Sequence, residues 1–257
     1  MPFALITGAS KGIGKAIAYS LAARGYDLLL VARTPDLLEK VAAEIHSSTN
    51  RNCQWLAQDL ADDQAAEVVY EWCQKNHFDV SVLVNNAGYG LSGKFERYSP
   101  QEHAEMLHVN IITLTKLTRL FLPGLLKQTA GYILNIGSSA SYQAVPFLSA
   151  YAASKSYVLS FSRGLYQELK RTPVSVTCVC PGPTETNFVN RAGIGAKAQK
   201  AAARFNMSPE TVAQIAVEGL FRRKPEVITG ATNKLGAFFA WLLPKGVVEG
   251  VAKKLYD

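Results

Sequence analysis

Tyr151 and Lys155 are the residues of this sequence best suited to proton chemistry. They lie four positions apart in Tyr-Ala-Ala-Ser-Lys, so a helix would place both side chains on one face. A phenol with a pKa near ~10 is a weak acid and base at neutral pH, but a nearby ammonium favours the phenolate. The pair could therefore perform general acid–base catalysis. The alternative is a half-buried tyrosine beside a solvated lysine.

A glycine-rich turn follows the first predicted strand, Phe3–Thr7, and contains Gly8, Gly12 and Gly14. At such a turn the first glycine permits a tight bend, the second lets backbone amides approach a pyrophosphate, and the third lets the helix pack closely on the sheet. The helix N-terminus would add unpaired N–H groups. A turn without a ligand is one alternative. A triphosphate-binding loop is disfavoured because Ala16 replaces the hydroxyl that binds Mg²⁺.

Two cations near this turn indicate which dinucleotide would bind. An acidic residue at the end of the second predicted strand, Asp27–Ala32, would select the ribose 2′-hydroxyl of NAD. Arg33 stands there instead, and a guanidinium can hold a 2′-phosphate through two charge-assisted hydrogen bonds. Lys11, within the turn, could reach the same phosphate. Either cation alone could be a solvated surface side chain, but together they predict NADP(H).

Seven motifs follow one another in a fixed order between about residues 3 and 186. They are Thr7-Gly8-x3-Gly12-x-Gly14, Asp59, Asn85-Asn86-Ala87-Gly88, Asn110, Ser138, Tyr151-x3-Lys155 and Pro181-Gly182. Their order and spacing resemble the short-chain dehydrogenase/reductase family. The resemblance implies an NADP(H)-dependent oxidoreductase that transfers a hydride between the nicotinamide and a carbonyl or secondary alcohol, with Tyr151 as general acid and base.

The same resemblance assigns four catalytic residues, two of them being Tyr151 and Lys155. Ser138 would hydrogen-bond the substrate oxygen. Its spacing of thirteen residues to Tyr151 distinguishes it from the neighbouring Ser139. Asn110 would hold a water that links Lys155 to bulk solvent.

The expected cofactor-binding residues follow the carboxyl ends of the predicted strands. Asp59 would contact the adenine beside the backbone of Leu60, or would cap the following helix. Asn85 would line the adenosine side or stabilise the central strand. Thr184 and Thr186 would bond the nicotinamide carboxamide. The full set is Gly8, Ser10, Lys11, Gly12, Ile13, Gly14, Arg33, Asp59, Leu60, Asn86, Ala87, Gly88, Tyr151, Lys155, Pro181, Gly182, Thr184 and Thr186.

Short apolar runs alternate with long amphipathic segments and predict the scaffold for these residues. The pattern indicates a single-domain α/β fold, a Rossmann-type doubly wound parallel sheet of about seven strands with helices on both faces. We predict one long helix at Pro100–Lys127, another at Ser149–Lys170, and a helix start at Ser208. The predicted strands are Phe3–Thr7, Asp27–Ala32, Cys53–Gln58, Val80–Asn85, Tyr132–Gly137, Val174–Cys180 and Val227–Thr229.

The composition excludes several classes of protein. The net charge is +7, but no basic run is dense enough for a nucleic-acid arm, and 48% hydrophobic with 18% charged residues is typical of a globular chain. The four cysteines, Cys53, Cys73, Cys178 and Cys180, form no CxxC and lack metal-ligand spacing. We expect no metal, no nucleic-acid partner, reduced thiols and a cytoplasmic location.

The substrate side is predicted to be apolar. Residues 184–207 are rich in Gly and Ala and would form either a lid over the substrate or a plain surface helix. We expect a medium-sized hydrophobic carbonyl compound or alcohol as the small-molecule substrate. The predicted pocket residues are Tyr89, Leu91, Tyr142, Val145, Phe147 and Phe188.

Residues 234–257 form a predicted C-terminal helical extension. Leu235–Leu243 is apolar nearly all round, Pro244 interrupts it, and a basic amphipathic segment follows. Residues 234–256 could complete the pocket, dock on a partner subunit, or make peripheral contact with a membrane; burial against the chain itself or a second copy is favoured. The family resemblance implies a homodimer or homotetramer through Pro100–Lys127 and Ser149–Lys170.

A regulatory protein that binds NADP(H) without turnover is the alternative function. Such a protein would need none of Asn110, Ser138, Tyr151 and Lys155, all of which are present. Their presence therefore favours the enzyme.

Overall fold

The computed structural model describes residues 2–185, 192–193, 195 and 206–256. Within them, a seven-stranded parallel sheet has the order β3-β2-β1-β4-β5-β6-β7. Each predicted strand is present with its ends shifted by at most one residue, which confirms the predicted fold class. The strands are β1 Phe3–Thr7, β2 Asp27–Ala32, β3 Cys53–Ala57, β4 Val80–Asn85, β5 Gly131–Ile136, β6 Val174–Cys180 and β7 Glu226–Ile228.

Helices cover both faces of the sheet, as the doubly wound pattern requires. Buried residues of α1, α2 and α7 form one core, and those of α3, α5 and α6 form the other. The helices are α1 Gly12–Ala22, α2 Pro35–Thr49, α3 Ala65–Lys75, α4 Pro100–Leu107, α5 Leu114–Leu125, α6 Ser149–Glu168, α7 Pro209–Phe221, α8 Ala231–Leu242 and α9 Lys245–Tyr256.

Strand β2 shows why its sequence is apolar at consecutive positions. Successive side chains of a strand point to opposite faces, so Leu28 and Leu30 enter the first core, while Leu29 and Val31 enter the second. All four side chains are fully buried. A polar residue at any of these positions would lose its hydration without gaining a partner, which costs about 1–3 kcal/mol.

The predicted single helix Pro100–Lys127 is wrong in its middle and at its end. A π-helical segment, His108–Thr113, separates α4 from α5, and α5 ends at Leu125. The helix begins as the sequence suggests, because Ser99 and Glu102 form a reciprocal capping box. The π segment contains Asn110. A hydrophobic repeat does not reveal such a segment, because it is stabilised by side-chain contacts with other parts of the fold.

Asn85 stabilises the central strands, which decides between its two predicted roles. Its Nδ2 donates to Thr118 Oγ1 at 3.0 Å and to Asn135 Oδ1 at 2.9 Å. Asn135 Nδ2 in turn donates to Ser162 Oγ at 2.9 Å. All four residues are buried, so this network joins β4 and β5 to α5 and α6 behind the cofactor side.

A helix cap and a pair of neighbouring thiols are further local features of the fold. Ser208 caps α7 by accepting a hydrogen bond from the Thr211 amide, which confirms the predicted helix start. Cys178 and Cys180 point the same way from β6, and their sulfur atoms lie 3.9 Å apart as free thiols. No helix in the described part of the chain has both the length and the apolar character that a membrane crossing needs.

Candidate active site

A cleft of about 380 Å³ opens at the carboxyl ends of the strands, where open α/β sheets bind ligands. Almost every predicted site residue lines it. Asn110 lies behind the wall, and Thr186 falls outside the described residues. The predicted residues that line the cleft are Gly8, Ser10, Lys11, Gly12, Ile13, Gly14, Arg33, Asp59, Leu60, Asn86, Ala87, Gly88, Ser138, Tyr151, Lys155, Pro181, Gly182 and Thr184.

The glycine turn fits a pyrophosphate. Gly8 and Gly12 have φ of +65° and +59°, a conformation that favours glycine. A Cβ on Gly14 would overlap the Gly8 carbonyl oxygen. At the start of α1, no side chain caps the helix and its first turn carries no acidic residue. The free amides therefore face the cleft with the positive end of the helix dipole, which favours an anion.

Asn86 holds this turn against the end of β4. Its Nδ2 donates to the carbonyl oxygens of Thr7 and Gly8 at 2.8 and 3.2 Å. Thr7 Oγ1 accepts from the amides of Asn86 and Ala87 at 3.0 and 3.1 Å. Asn86 and Thr7 therefore join the first and fourth strand ends into one rigid wall.

Arg33 lies at the mouth of the cleft beside Asp59. Arg33 Nη1 is 3.5 Å from Asp59 Oδ2, and the two side chains are 53% and 41% exposed. A pair this exposed contributes little stability, so the guanidinium remains available to an anionic ligand. Asp59 Oδ1 accepts from the Ala61 amide at 3.1 Å. Because α3 starts only at Ala65, with Gln64 at its N-cap position, the predicted helix-capping role of Asp59 is wrong.

Tyr151 and Lys155 occupy the first turns of α6, and both are buried, at 8% and 5% exposure. Lys155 Nζ donates to the Ile136 carbonyl oxygen at 2.8 Å and lies 5.9 Å from the centre of the Tyr151 ring. Burial lowers the pKa of Lys155 to about 8, because a desolvated ammonium is destabilised relative to the neutral amine. The structure thus brings a phenol and an easily deprotonated amine into one cleft.

Ser138 lies at the end of β5, facing the same cleft as Tyr151. It begins the short 3₁₀ turn Ser139–Tyr142, and its Oγ accepts from the Ala140 amide at 3.1 Å. Ser139 also lines the cleft. The assignment of Ser138 as the residue that bonds the substrate oxygen stays a prediction.

Asn110 holds the loop after β4 in place through hydrogen bonds to its backbone. Its Nδ2 donates to the Tyr89 carbonyl oxygen and to Ser154 Oγ, both at 3.0 Å, and its Oδ1 accepts from the Tyr89 amide at 3.1 Å. A Cβ on Gly88 would lie 2.8 Å from Asn110 Oδ1 and 3.4 Å from Lys155 Nζ. Asn110 therefore sits close behind Gly88 and Lys155, while its role in holding a water stays a prediction.

The residues predicted to line a substrate pocket lie in several different places, and the pocket itself stays a prediction. Tyr89 lines the cleft, whereas Leu91 and Phe147 line a neighbouring cavity of about 250 Å³. Tyr142 instead donates its hydroxyl to Glu226 at 2.7 Å and packs beside the two β6 cysteines. Val145 is buried, and Phe188 and most of the predicted lid at 184–207 lie outside the described residues.

Several cleft residues were missed by sequence reasoning. Glu105 and Val109 lie four positions apart, so helical spacing could have suggested that they share a face, but not which face. The others follow strand ends or precede α6, where only the folded chain shows what they touch. The missed residues include Gln58, Glu105, Val109, Ala140 and Leu148.

Comparison with known proteins assigns the family. The model of the short chain dehydrogenase family matches residues 2–197. The chain belongs to the short-chain dehydrogenase family. It is 34% identical over 186 residues to human 17-beta-hydroxysteroid dehydrogenase type 3, covering 72% of this chain and 59% of the relative. It is 36% identical over 187 residues to a very-long-chain 3-oxoacyl-CoA reductase of Anas platyrhynchos, covering 70% and 58%.

A solved short-chain dehydrogenase from Sphingobium yanoikuyae, in complex with NADPH, has a similar structure. Its TM-score is 0.83 at 30% identity, over 98% of this chain and 95% of that one. The chain spans less than two thirds of the length of the two curated relatives.

Among the described residues of this short-chain dehydrogenase, no group of three or more His, Cys, Asp or Glu side chains could hold a metal ion.

The buried ammonium predicts a specific dependence of stability on pH. Unfolded Lys155 keeps its proton up to its usual pKa of 10.5, while in the fold its pKa is about 8. Between these values the unfolded chain binds more protons, so Lys155 makes the free energy of unfolding rise with pH. Lys155→Met removes this contribution, and its stability relative to the wild type should fall between pH 8 and 10.5.

Urea unfolding of both proteins without cofactor, in pH steps across this window, measures the difference. The other titrating groups are common to both proteins and cancel in the comparison. A stability difference that stays constant with pH would show that Lys155 titrates normally in the fold.

Proposed function

We propose that this short-chain dehydrogenase is an NADP(H)-dependent oxidoreductase for a carbonyl or secondary alcohol on a medium-sized hydrophobic body. The observation that carries the proposal is the shared cleft: a pyrophosphate-fitting glycine turn at one end and Ser138, Tyr151 and Lys155 at the other. A purely regulatory binding protein would need the first feature but not the second.

The proposed chemistry uses the phenol as the proton donor. In reduction, Tyr151 donates its proton to the carbonyl oxygen, to which the Ser138 hydroxyl also donates a hydrogen bond. The Lys155 ammonium stabilises the resulting phenolate and can return a proton, since its lowered pKa of about 8 makes transfer near neutral pH easy. When bound, the nicotinamide supplies the hydride or, in the reverse direction, accepts it.

The cofactor and substrate classes are supported by charge and by the relatives. Arg33 and Lys11 line the cleft, and both can pair with a 2′-phosphate. The related structure from Sphingobium yanoikuyae contains NADPH. The two curated relatives are named for a hydroxysteroid and a very-long-chain 3-oxoacyl-CoA, both of which carry a carbonyl or alcohol on a large apolar body.

Tyr151→Phe tests the proton donor. The variant keeps the ring but cannot donate, so NADPH binding should survive while turnover of a reducible ketone falls by about 100-fold to 10,000-fold. Cofactor fluorescence measures binding, and NADPH absorbance measures turnover. Tyr166→Phe is the matched control, because Tyr166 lies half-buried on the same helix but outside the cleft. Turnover retained by Tyr151→Phe would assign the proton to another group.

Arg33→Asp tests the cofactor. Loss of two charge-assisted hydrogen bonds and repulsion by the new carboxylate should weaken NADPH binding by about 100-fold or more. NADH lacks the 2′-phosphate, so its affinity should change little. Lys40→Asp, an exposed position outside the cleft, controls for net charge. Equal losses for both dinucleotides would argue against a 2′-phosphate contact.

We propose that the C-terminal arm, α8 and α9 with the residues between them, contacts an anionic membrane surface. The sequence favours burial against the chain itself or a second copy; the chain itself covers little of the arm, and burial against a second copy stays a prediction. Eight large apolar side chains remain exposed there, and Trp241 is 75% exposed. Four lysines accompany one acid, Glu249, and this charge supports an anionic membrane surface over a second arm of like charge. The exposed residues are Leu235, Phe238, Phe239, Trp241, Leu242, Leu243, Val247 and Val251.

Vesicle flotation tests this surface. The wild type should float with anionic phosphatidylglycerol vesicles more than with neutral ones, and Phe238→Glu with Trp241→Glu should reduce binding at least about tenfold. Phe95→Glu, at an apolar side chain that is 67% exposed outside the arm, is the control. Absence of flotation, with an oligomer that the double variant dissociates, would assign the surface to a second copy instead.

Oligomer formation and location remain part of the proposal. We propose a homodimer or homotetramer through the faces of α4, α5 and α6, where Ile112 and Tyr157 are 46% and 38% exposed. A cytoplasmic location is supported by the free state of Cys53, Cys73, Cys178 and Cys180, since thiols stay reduced there.

A further inference from the structure

The C-terminal arm is attached to the loops that surround the reaction centre. In the first turn of α8, Asn233 Nδ2 donates to the Thr229 carbonyl oxygen at 2.7 Å. Its amide also packs so closely on Gly182 that a Cβ there would overlap it. Gly182 lines the cleft, and α8 contacts the 3₁₀ turn Ser139–Tyr142 that follows Ser138. The arm therefore begins against the cleft wall.

Helix α9 returns to the same place. Between Lys245 and Lys254, Ala252 is the one buried residue, at 5% exposure, while its neighbour Val251 is 68% exposed. Ala252 belongs to a buried cluster with Met106, Val145, Leu148 and Tyr151. The inner face of α9 is thus part of the apolar packing around the proposed proton donor.

This cluster reaches the cleft. Leu148 and Tyr151 belong to it, and Tyr89 and Ala140 pack against it, while all four also line the cleft. These four residues form one wall of the cleft. If the Tyr151 phenol donates to a carbonyl oxygen, the groups attached to that carbonyl must lie within a few bond lengths of this wall. The residue behind the wall then limits how large those groups can be.

We propose that α9 closes the substrate side of the cleft and that Ala252 sets the size of carbonyl substituent that fits. The inference rests on the proposed function. A methyl side chain at this position leaves the wall room to accommodate a bulky apolar group. A larger side chain would push Leu148 and its neighbours toward the substrate, because a close-packed cluster transmits added volume.

Ala252→Leu tests the inference with NADPH and three ketones: cyclohexanone, a ketone of two fused rings and a ketone of four fused rings. Relative to the wild type, kcat/KM should fall at least about tenfold for the four-ring ketone and stay within about twofold for cyclohexanone, since one methylene in an apolar pocket changes selectivity by this order. NADPH affinity should be unchanged. Ala43→Leu adds the same volume at an exposed position of α2, outside the cleft, and should leave all three rates unchanged. Ala252→Val should give an intermediate size dependence if the larger variant is unstable.

The outcomes separate the inference from the proposed function. Equal loss for all three ketones, or no loss for any, would overturn the size-setting role of Ala252. If the wild type reduces none of them, the proposed function fails. Calorimetry of four-ring ketone binding to the NADPH-loaded protein then still tests the role of Ala252, because Ala252→Leu must weaken that binding and Ala43→Leu must not.

Discussion

The hydrogen bond from Lys155 Nζ to the Ile136 carbonyl oxygen is the interaction around which the rest of the site is arranged. It brings an amine into the interior, where burial lowers its pKa, and partly compensates the lost hydration of the ammonium. The acceptor lies at the end of β5 and the donor near the start of α6. The relative position of a central strand and its following helix is therefore set inside the cleft itself.

This placement constrains the chain around it. A Cβ at Gly88 would lie only 2.8 Å from Asn110 Oδ1, so a side chain there would displace that amide. Asn110 can reach the Tyr89 backbone from the π segment. The network from Asn85 to Ser162 then fixes β4 and β5 to the helices behind them. The strands and the buried amide networks therefore hold the side chains of the cleft at defined positions. Acid–base catalysis requires side chains to be positioned in this way.

The C-terminal arm links this centre to the outer surface of the protein. Its inner side meets Gly182 and the Tyr151 cluster through Asn233 and Ala252. Its outer side exposes Trp241 and other large apolar residues. The family motifs themselves lie before this arm, since the family match ends at residue 197.

The strands, the glycine turn and the pairing of Tyr151 with Lys155 could all be predicted from sequence, because each depends on local periodicity or on spacing within one element. The family resemblance supplied the order of the motifs and the assignment of Ser138 among two candidates. The burial of Leu28 to Val31 on both faces of the sheet could be predicted from the apolar run alone.

Tertiary structure alone decided the features that depend on residues distant in the chain. The π segment at Asn110, the structural role of Asn85, the turning of Tyr142 toward Glu226 and the burial of Ala252 in the cluster that contains Tyr151 all result from contacts between separate elements. Helical and strand periods say which residues share a face, but not which surface that face meets. Only the packing of the whole chain decides that surface, and the same packing sets the shape of the cleft.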